Sequence, residues 1–348
     1  MINVGIAGIG FMGWIHYLAY QRVRGVKLAA VCTRDAKKLA GDWRGIKGNF
    51  GPPGEQVDLS GVAKYAELDA LLADQKIDLV DICLPPDLHC DASIAALRAG
   101  KHVLVEKPMG LTAAECQRMV VAAKKAGKLV LCGQVLPFFP EYAHARQAIA
   151  SGKYGRLLGG HFKRIISDPL WLKDFFDPRR VGGPLVDLHV HDAHLIRMLF
   201  GMPTAVVSQG RMRGEVVEFC NTLFHFADPS LVVSASSGVI NQQGRGFTHA
   251  FEIHLEKATL LYDLAYFAGE PQPRVSPLTI LDHKGQAIVP KLVAGDSVTA
   301  FEAEIAEVVK SIRTGRPSPI LSGELACDAV VLCHKQTESV KQDRLVKV

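Results

Sequence analysis

Apolar and polar positions fall into two textures along the chain. Up to about residue 133, short runs rich in Val, Ile and Leu alternate with stretches in which apolar residues recur every three or four positions. The runs predict strands at 2–7, 27–33, 63–66, 78–84, 102–106 and 128–133, and the periodic stretches predict helices at 12–23, 35–42, 67–73, 87–99 and 112–126. Thr112 followed by Glu115 is a capping box for the last of these helices, and Gly127 stops it. Such alternation implies a parallel sheet with helices on both faces, the doubly wound α/β fold. Between the second helix and the third strand, the run Gly45 to Gly54 is too rich in glycine and proline for regular structure and predicts a loop.

After residue 134 the pattern changes. A helical segment at 140–151 ends at Gly152, and β-like runs follow at about 155–167, 204–213, 217–227, 230–239, 248–257 and 259–264, with no helix between most of them. Consecutive strands of this kind predict a large, open, mostly antiparallel sheet, covered on one face and free on the other for a partner subunit. Phe301, Ile305, Val308, Val309 and Ile312 mark an amphipathic helix, and 323–338 marks another. The expected division is therefore 1–133 for the first domain and 134–348 for an α/β second domain.

Composition narrows the classes. The 348 residues, 48% hydrophobic, suffice for two cores. A net charge of +5 is spread over short groups such as Lys124-Lys125 and Arg179-Arg180, so no basic tract points to nucleic acid. The eight cysteines form no CxxC pair and read as reduced, buried thiols. Met1 leads directly into the first strand, leaving no room for a leader, and no apolar run approaches the roughly 18 residues of a membrane span. A cytoplasmic protein without membrane contact is expected.

Gly8, Gly10 and Gly13 are spaced as G-x-G-x-x-G directly after a strand and at the opening of a helix, with Phe11 and Met12 completing the turn. In that context the first glycine makes the turn, the second admits a pyrophosphate, and the third packs helix on strand. The helix N-terminus then faces the anion. Thr33 and Arg34 stand about 20 residues further on, at the end of the second strand, where a carboxylate would bind the ribose of NAD. A hydroxyl and a guanidinium there suit a 2′-phosphate, so NADP is preferred over NAD. Asp35 is either a displaced ribose acceptor or the cap of the next helix. The Gly45–Gly54 loop is expected near the adenosine end, as a flap or as a surface insertion.

Lys107 ends the apolar run Val103-Leu104-Val105-Glu106-Lys107-Pro108, where ligands of open α/β sheets bind and a cation can stabilise developing alkoxide charge. Asp187 and His191 are four apart in a stretch of helical apolar spacing and share a face. There the imidazole can take a hydroxyl proton while the carboxylate sets its tautomer or binds a neighbouring hydroxyl. His189 and His194 add donors, but no distant ligand pattern completes a metal site, and none is expected.

Gly8-x-Gly10-x-x-Gly13-x-x-His16, Pro85-Pro86-x-x-His89, the stretch Ala99 to Pro108, and Gly182-Gly183-x-x-x-Asp187-x-x-x-His191 together resemble the Gfo/Idh/MocA oxidoreductases over nearly the whole chain. The resemblance implies a Rossmann domain, a second domain whose open sheet forms a homodimer or homotetramer, and hydride exchange between NAD(P) and a sugar or polyol. It further implies Lys107, Asp187 and His191 as catalytic residues, and Leu84, Pro85, His89, Glu106, Lys107 and Gln134 as coenzyme contacts beside the glycine turn. Lys163 and His194 join Lys107, Asp187 and His191 as candidate substrate contacts. His189 stands where the family usually has glycine, and Pro137 where it often has arginine. A redox-neutral glycosidase or epimerase with tightly held coenzyme, and a non-enzymatic nucleotide sensor, are the alternative readings.

Overall fold

The computed structural model describes residues 1–348, which divide into two compact units, Met1–Phe139 with Ala294–Cys327, and Pro140–Val293 with Asp328–Val348.

In the first unit, β1 (Ile2–Ala7), β2 (Val26–Cys32), β3 (Ala63–Tyr65), β4 (Leu79–Ile82), β5 (His102–Glu106) and β6 (Val130–Gly133) form one parallel sheet in the order β3-β2-β1-β4-β5-β6. Helices α1 (Phe11–Tyr20), α2 (Ala36–Leu39), α3 (Leu68–Ala73), α4 (His89–Arg98) and α5 (Ala113–Ala126) connect them. Val4, Ile6, Leu79, Val80, Ile82, Val103, Leu104 and Val105 are fully buried, as strands covered on both faces require. The strand order reverses between β1 and β4, which is where such sheets bind dinucleotides. The Thr112–Glu115 capping box is present, and Gly127 closes α5 in the left-handed region.

Residues 294–327, expected with the second domain, pack in the first unit. Their helix α8 (Thr299–Thr314) buries Phe301, Ile305, Val308 and Val309. Periodicity identifies an apolar face but not the core that receives it. The Gly45–Gly54 loop is irregular, and is fastened to α1 and α8. Trp14 Nε1 donates to the Pro52 carbonyl at 2.9 Å, while the Phe50 ring lies 4.7 Å from Phe11 and 5.6 Å from Phe301.

The second unit holds α6 (Pro140–Ala150), β7 (Leu157–Ser167), a π-helical turn at Leu185–His189, α7 (Val190–Phe200), and strands β8 (Ala205–Arg213), β9 (Val216–His225), β10 (Val232–Ile240), β11 (Arg245–Leu255), β12 (Ala258–Phe267), β13 (Arg274–Asp282), β14 (Ala287–Ile288) and β15 (Val346–Lys347). The nine strands run β14-β13-β12-β11-β7-β10-β9-β8-β15, antiparallel except for the β10–β7 pair. The sequence pattern does not predict β13, whose first four positions are exposed and dilute its alternation, or the edge strands β14 and β15, which are only two residues long each. The last helix, α9 (Gly323–Gln342), begins in the first unit and ends in the second.

Cross-strand register sorts side chains onto two faces. Phe162 and Arg164 of β7 are buried on the face that α7 covers. His161 and Lys163 point the other way, onto the face that also carries Leu223, Val207 and Val232, which are 40%, 37% and 66% exposed.

Candidate functional site

The glycine turn fits a pyrophosphate. Gly8 has φ +99°, and a Cβ there would meet the Cys83 carbonyl at 2.5 Å; one on Gly13 would meet the Gly8 carbonyl at 2.2 Å. Beside Gly10 there is only open space within 4 Å, the approach a ligand backbone contact needs. Gly10 is the N-cap of α1 and makes no side-chain cap bond, so the helix presents unsatisfied N–H groups. Phe11 and Met12, in its first turn, are half-buried.

At the end of β2, Asp35 is the helix cap: its Oδ1 accepts from the backbone N–H groups of Lys37 at 2.9 Å and Lys38 at 3.2 Å. With that carboxylate engaged, Thr33 is half-buried and Arg34 is exposed. Leu84 and Pro85 follow β4, half-buried and exposed respectively. Gln134 follows β6, 1% exposed, and its side-chain amide finds no hydrogen-bond partner in the protein. A buried amide in that state is a ready partner for a bound polar ligand.

Lys107 is half-buried at the carboxyl end of β5, and one buried histidine, His89, lies against the turn that follows it. His89 Nδ1 lies 2.8 Å from the Pro108 carbonyl and Nε2 2.8 Å from the Leu84 carbonyl. Both ring nitrogens of His89, a residue expected at the coenzyme, therefore face backbone carbonyls. Burial lowers its pKa, so the neutral ring can donate to only one carbonyl at a time. Glu106, also expected at the coenzyme, has its carboxyl buried. Oε1 lies 3.1 Å from His16 Nε2, and Oε2 accepts the Lys107 N–H at 3.1 Å. His16, Tyr20, Asp81, Cys83 and Glu304 complete a polar cluster that the sequence reading missed. Its signals were an aspartate inside the apolar run Leu79–Cys83 and a glutamate on the apolar face of α8.

In the second unit, Gly182 and Gly183 both have positive φ, +89° and +77°, and added Cβ atoms would strike Val186 and Val216 at 2.7 Å. Glycine is thus required at the turn that launches the π-helical segment carrying Asp187. Asp187 and His191 are half-buried on either side of the junction between this π turn and α7. Single π turns inside helices concentrate at functional sites. His194 is fully buried. His189 lies 3.0 Å from the Gln336 amide and is a packing residue. Asp192 receives Arg164 from β7 through Nε at 2.6 Å and Nη2 at 3.0 Å, tying α7 to the sheet. Lys163, expected as a substrate contact, lies on the opposite face of the sheet from α7 by strand alternation and pairs with Asp263 at 2.6 Å.

A parallel sheet ordered for dinucleotides, a glycine turn open at its second position and a lysine at a strand end define a nucleotide-dependent oxidoreductase. Residues 2–134 match the family model described as "Oxidoreductase family, NAD-binding Rossmann fold", and 142–261 match the GFO/IDH/MocA C-terminal domain, so the chain belongs to the Gfo/Idh/MocA oxidoreductases. The 1,5-anhydro-D-fructose reductase of Ensifer adhaerens is 27% identical over 76% of this chain and 78% of its own length. The myo-inositol 2-dehydrogenase of Thermotoga maritima is 25% identical over 100% of this chain and 98% of its own. Levoglucosan dehydrogenase, solved with NADH and levoglucosan, shares the fold with a TM-score of 0.79 at 22% identity, covering 100% of this chain and 99% of its own.

Proposed function

We propose that this oxidoreductase moves a hydride between a nicotinamide coenzyme, preferably NADP, and a secondary alcohol or ketone of a sugar, polyol or related cyclic substrate. The observation that carries this reading is Lys107 at the carboxyl end of β5, on the same carboxyl edge of the parallel sheet as the open glycine turn that follows β1. When bound, the coenzyme supplies the hydride acceptor or donor. Gly10 and the N–H groups of α1 hold its pyrophosphate, Arg34 and Thr33 its 2′-phosphate, and the Gln134 amide a polar group further along it. The Lys107 ammonium hydrogen-bonds the reacting oxygen and stabilises alkoxide character. His191 takes the hydroxyl proton during oxidation, with Asp187 orienting the ring or binding an adjacent hydroxyl. Reduction reverses the same proton path.

The uncovered face of the large sheet, with Val207, Leu223 and Val232 exposed, supports a homodimer or homotetramer. A panel of polyols and aldoses, followed at the reduced-nicotinamide absorbance with NAD and NADP in parallel, tests the activity. Net coenzyme reduction with at least one of them is expected. Turnover without net reduction and with coenzyme that survives gel filtration would favour redox-neutral chemistry instead.

A further inference from the structure

Behind the Lys107 turn lies a group of ionisable side chains that hydride transfer does not itself employ. His16 on α1 is fully buried, with Nδ1 hydrogen-bonded to Asp81 Oδ2 at 2.8 Å and Nε2 at ion-pair distance, 3.1 Å, from Glu106 Oε1 without hydrogen-bond alignment. Asp81 also accepts from the Tyr20 hydroxyl at 2.9 Å, and Cys83 Sγ lies 3.6 Å from His16 Nδ1 and 3.5 Å from Asp81 Oδ1. Glu304 of α8, entirely buried, makes no hydrogen bond within the protein and feels His16, Glu106 and Asp81 electrostatically. Burial opposes charge on His16, yet the Asp81 carboxylate, aided by Cys83, outweighs it and raises the pKa well above the ordinary value. Apolar packing at these positions would cost less than a buried ionic cluster. The cluster ends on one functional element: the Glu106 oxygen that does not face His16 accepts the Lys107 amide at 3.1 Å.

We propose that His16, oriented by Asp81, is a positioning residue for Lys107. It holds the Glu106 carboxyl in the orientation that also receives the Lys107 amide, and so fixes the backbone from which the ammonium reaches the reacting oxygen. The inference rests on the reading that Lys107 handles that oxygen. The logic is that of a carboxylate fixing an imidazole so that the imidazole can fix something else. Here the object fixed is a main-chain turn, so His16 acts without touching substrate.

The test compares full-length His16→Gln and Asp81→Asn with the parent enzyme on a polyol that it oxidises. Both variants are expected to bind reduced coenzyme within about twofold of the parent, measured by fluorescence. Turnover is expected to fall about 10- to 100-fold with KM nearly unchanged, the scale of a small misplacement of a reacting group. The Lys107 amide, read by hydrogen exchange, is expected to exchange faster in both. If His16→Gln does not fold, Asp81→Asn carries the comparison with the ring still in place. Parental turnover in a folded variant overturns the proposal. So does a stoichiometric transition metal on the purified enzyme that His16→Gln abolishes, since His16, Asp81 and Cys83 bring donor atoms within 4.8 Å of one another. Absence of turnover with every polyol would instead count against the role given to Lys107. The amide then decides the positioning by itself: unchanged protection in the variants overturns it, and faster exchange upholds it.

Discussion

Arg164 grips both carboxylate oxygens of Asp192, through Nε at 2.6 Å and Nη2 at 3.0 Å, with neither side chain more than 2% exposed. This pair joins the central strand β7 to the helix that carries His191. Breaking such a pair from one side strands a charge in the core, at a cost of about 3–5 kcal/mol. Arg164→Met and Asp192→Leu are each expected to lower stability by that amount in urea unfolding. The double variant is expected to recover most of it, because two apolar side chains leave no charge behind. Single variants costing less than about 1 kcal/mol would show that the pair does not anchor the helix.

Acid sensitivity follows from the same neighbourhood. Burial, with the nearby Arg164 charge, lowers the His249 pKa to about 3. Between that value and the ordinary 6.5, the unfolded chain holds a proton that the folded chain does not. This contribution to stability is therefore present above about pH 6.5 and is lost progressively as pH falls towards 3. His249→Gln is expected to flatten the decline in melting temperature between pH 6.5 and 4, and an unchanged slope would remove His249 from the account.

Glu304 works in the opposite sense. Burial raises its pKa well above 4.5, His16 offsetting only part of the shift. Above pH 4.5 the unfolded chain has released a proton that the folded chain keeps, so stability falls as pH rises. Glu304→Leu is expected to stabilise the protein at pH 8 by about 1–3 kcal/mol, with the gain shrinking towards pH 4.5. A melting temperature raised equally at both pH values would mean that packing, rather than desolvation of the carboxyl, sets the effect.

Lys107→Met keeps the unbranched side chain to within one heavy atom of its length and deletes the charge. Loss of one preorganised donor to a developing oxyanion costs about 10²–10³ in turnover. The variant is expected to lose that much while binding reduced coenzyme almost as the parent does. Retention of more than a tenth of parental turnover would transfer the role to another group.

Coenzyme choice can be read at Arg34. Charge-assisted hydrogen bonds to a phosphate contribute about 1.5–3 kcal/mol, which corresponds to roughly 10- to 100-fold in affinity. Arg34→Ala is expected to weaken NADPH by that factor and leave NADH within about twofold. Equal losses for both coenzymes would argue against a 2′-phosphate contact.

Much of this protein is set by local pattern. Alternating apolar runs and helical periods predict the six parallel strands, and the spacing of Gly8, Gly10 and Gly13 predicts an open approach at the middle glycine. Thr112, Glu115 and Gly127 mark helix ends through bonds that span only a few residues. These features rest on periodicity, turn sterics and capping, all of which act over short stretches of chain. Tertiary structure decided the rest, because burial partners come from distant segments. It sent residues 294–327 to the first unit, buried Glu304 within electrostatic reach of His16, put Lys163 on the face away from α7, and faced both nitrogens of His89 towards carbonyls. A sequence shows which side chains can carry charge or donate a hydrogen bond, whereas packing in three dimensions determines which groups they meet and whether water remains to compete.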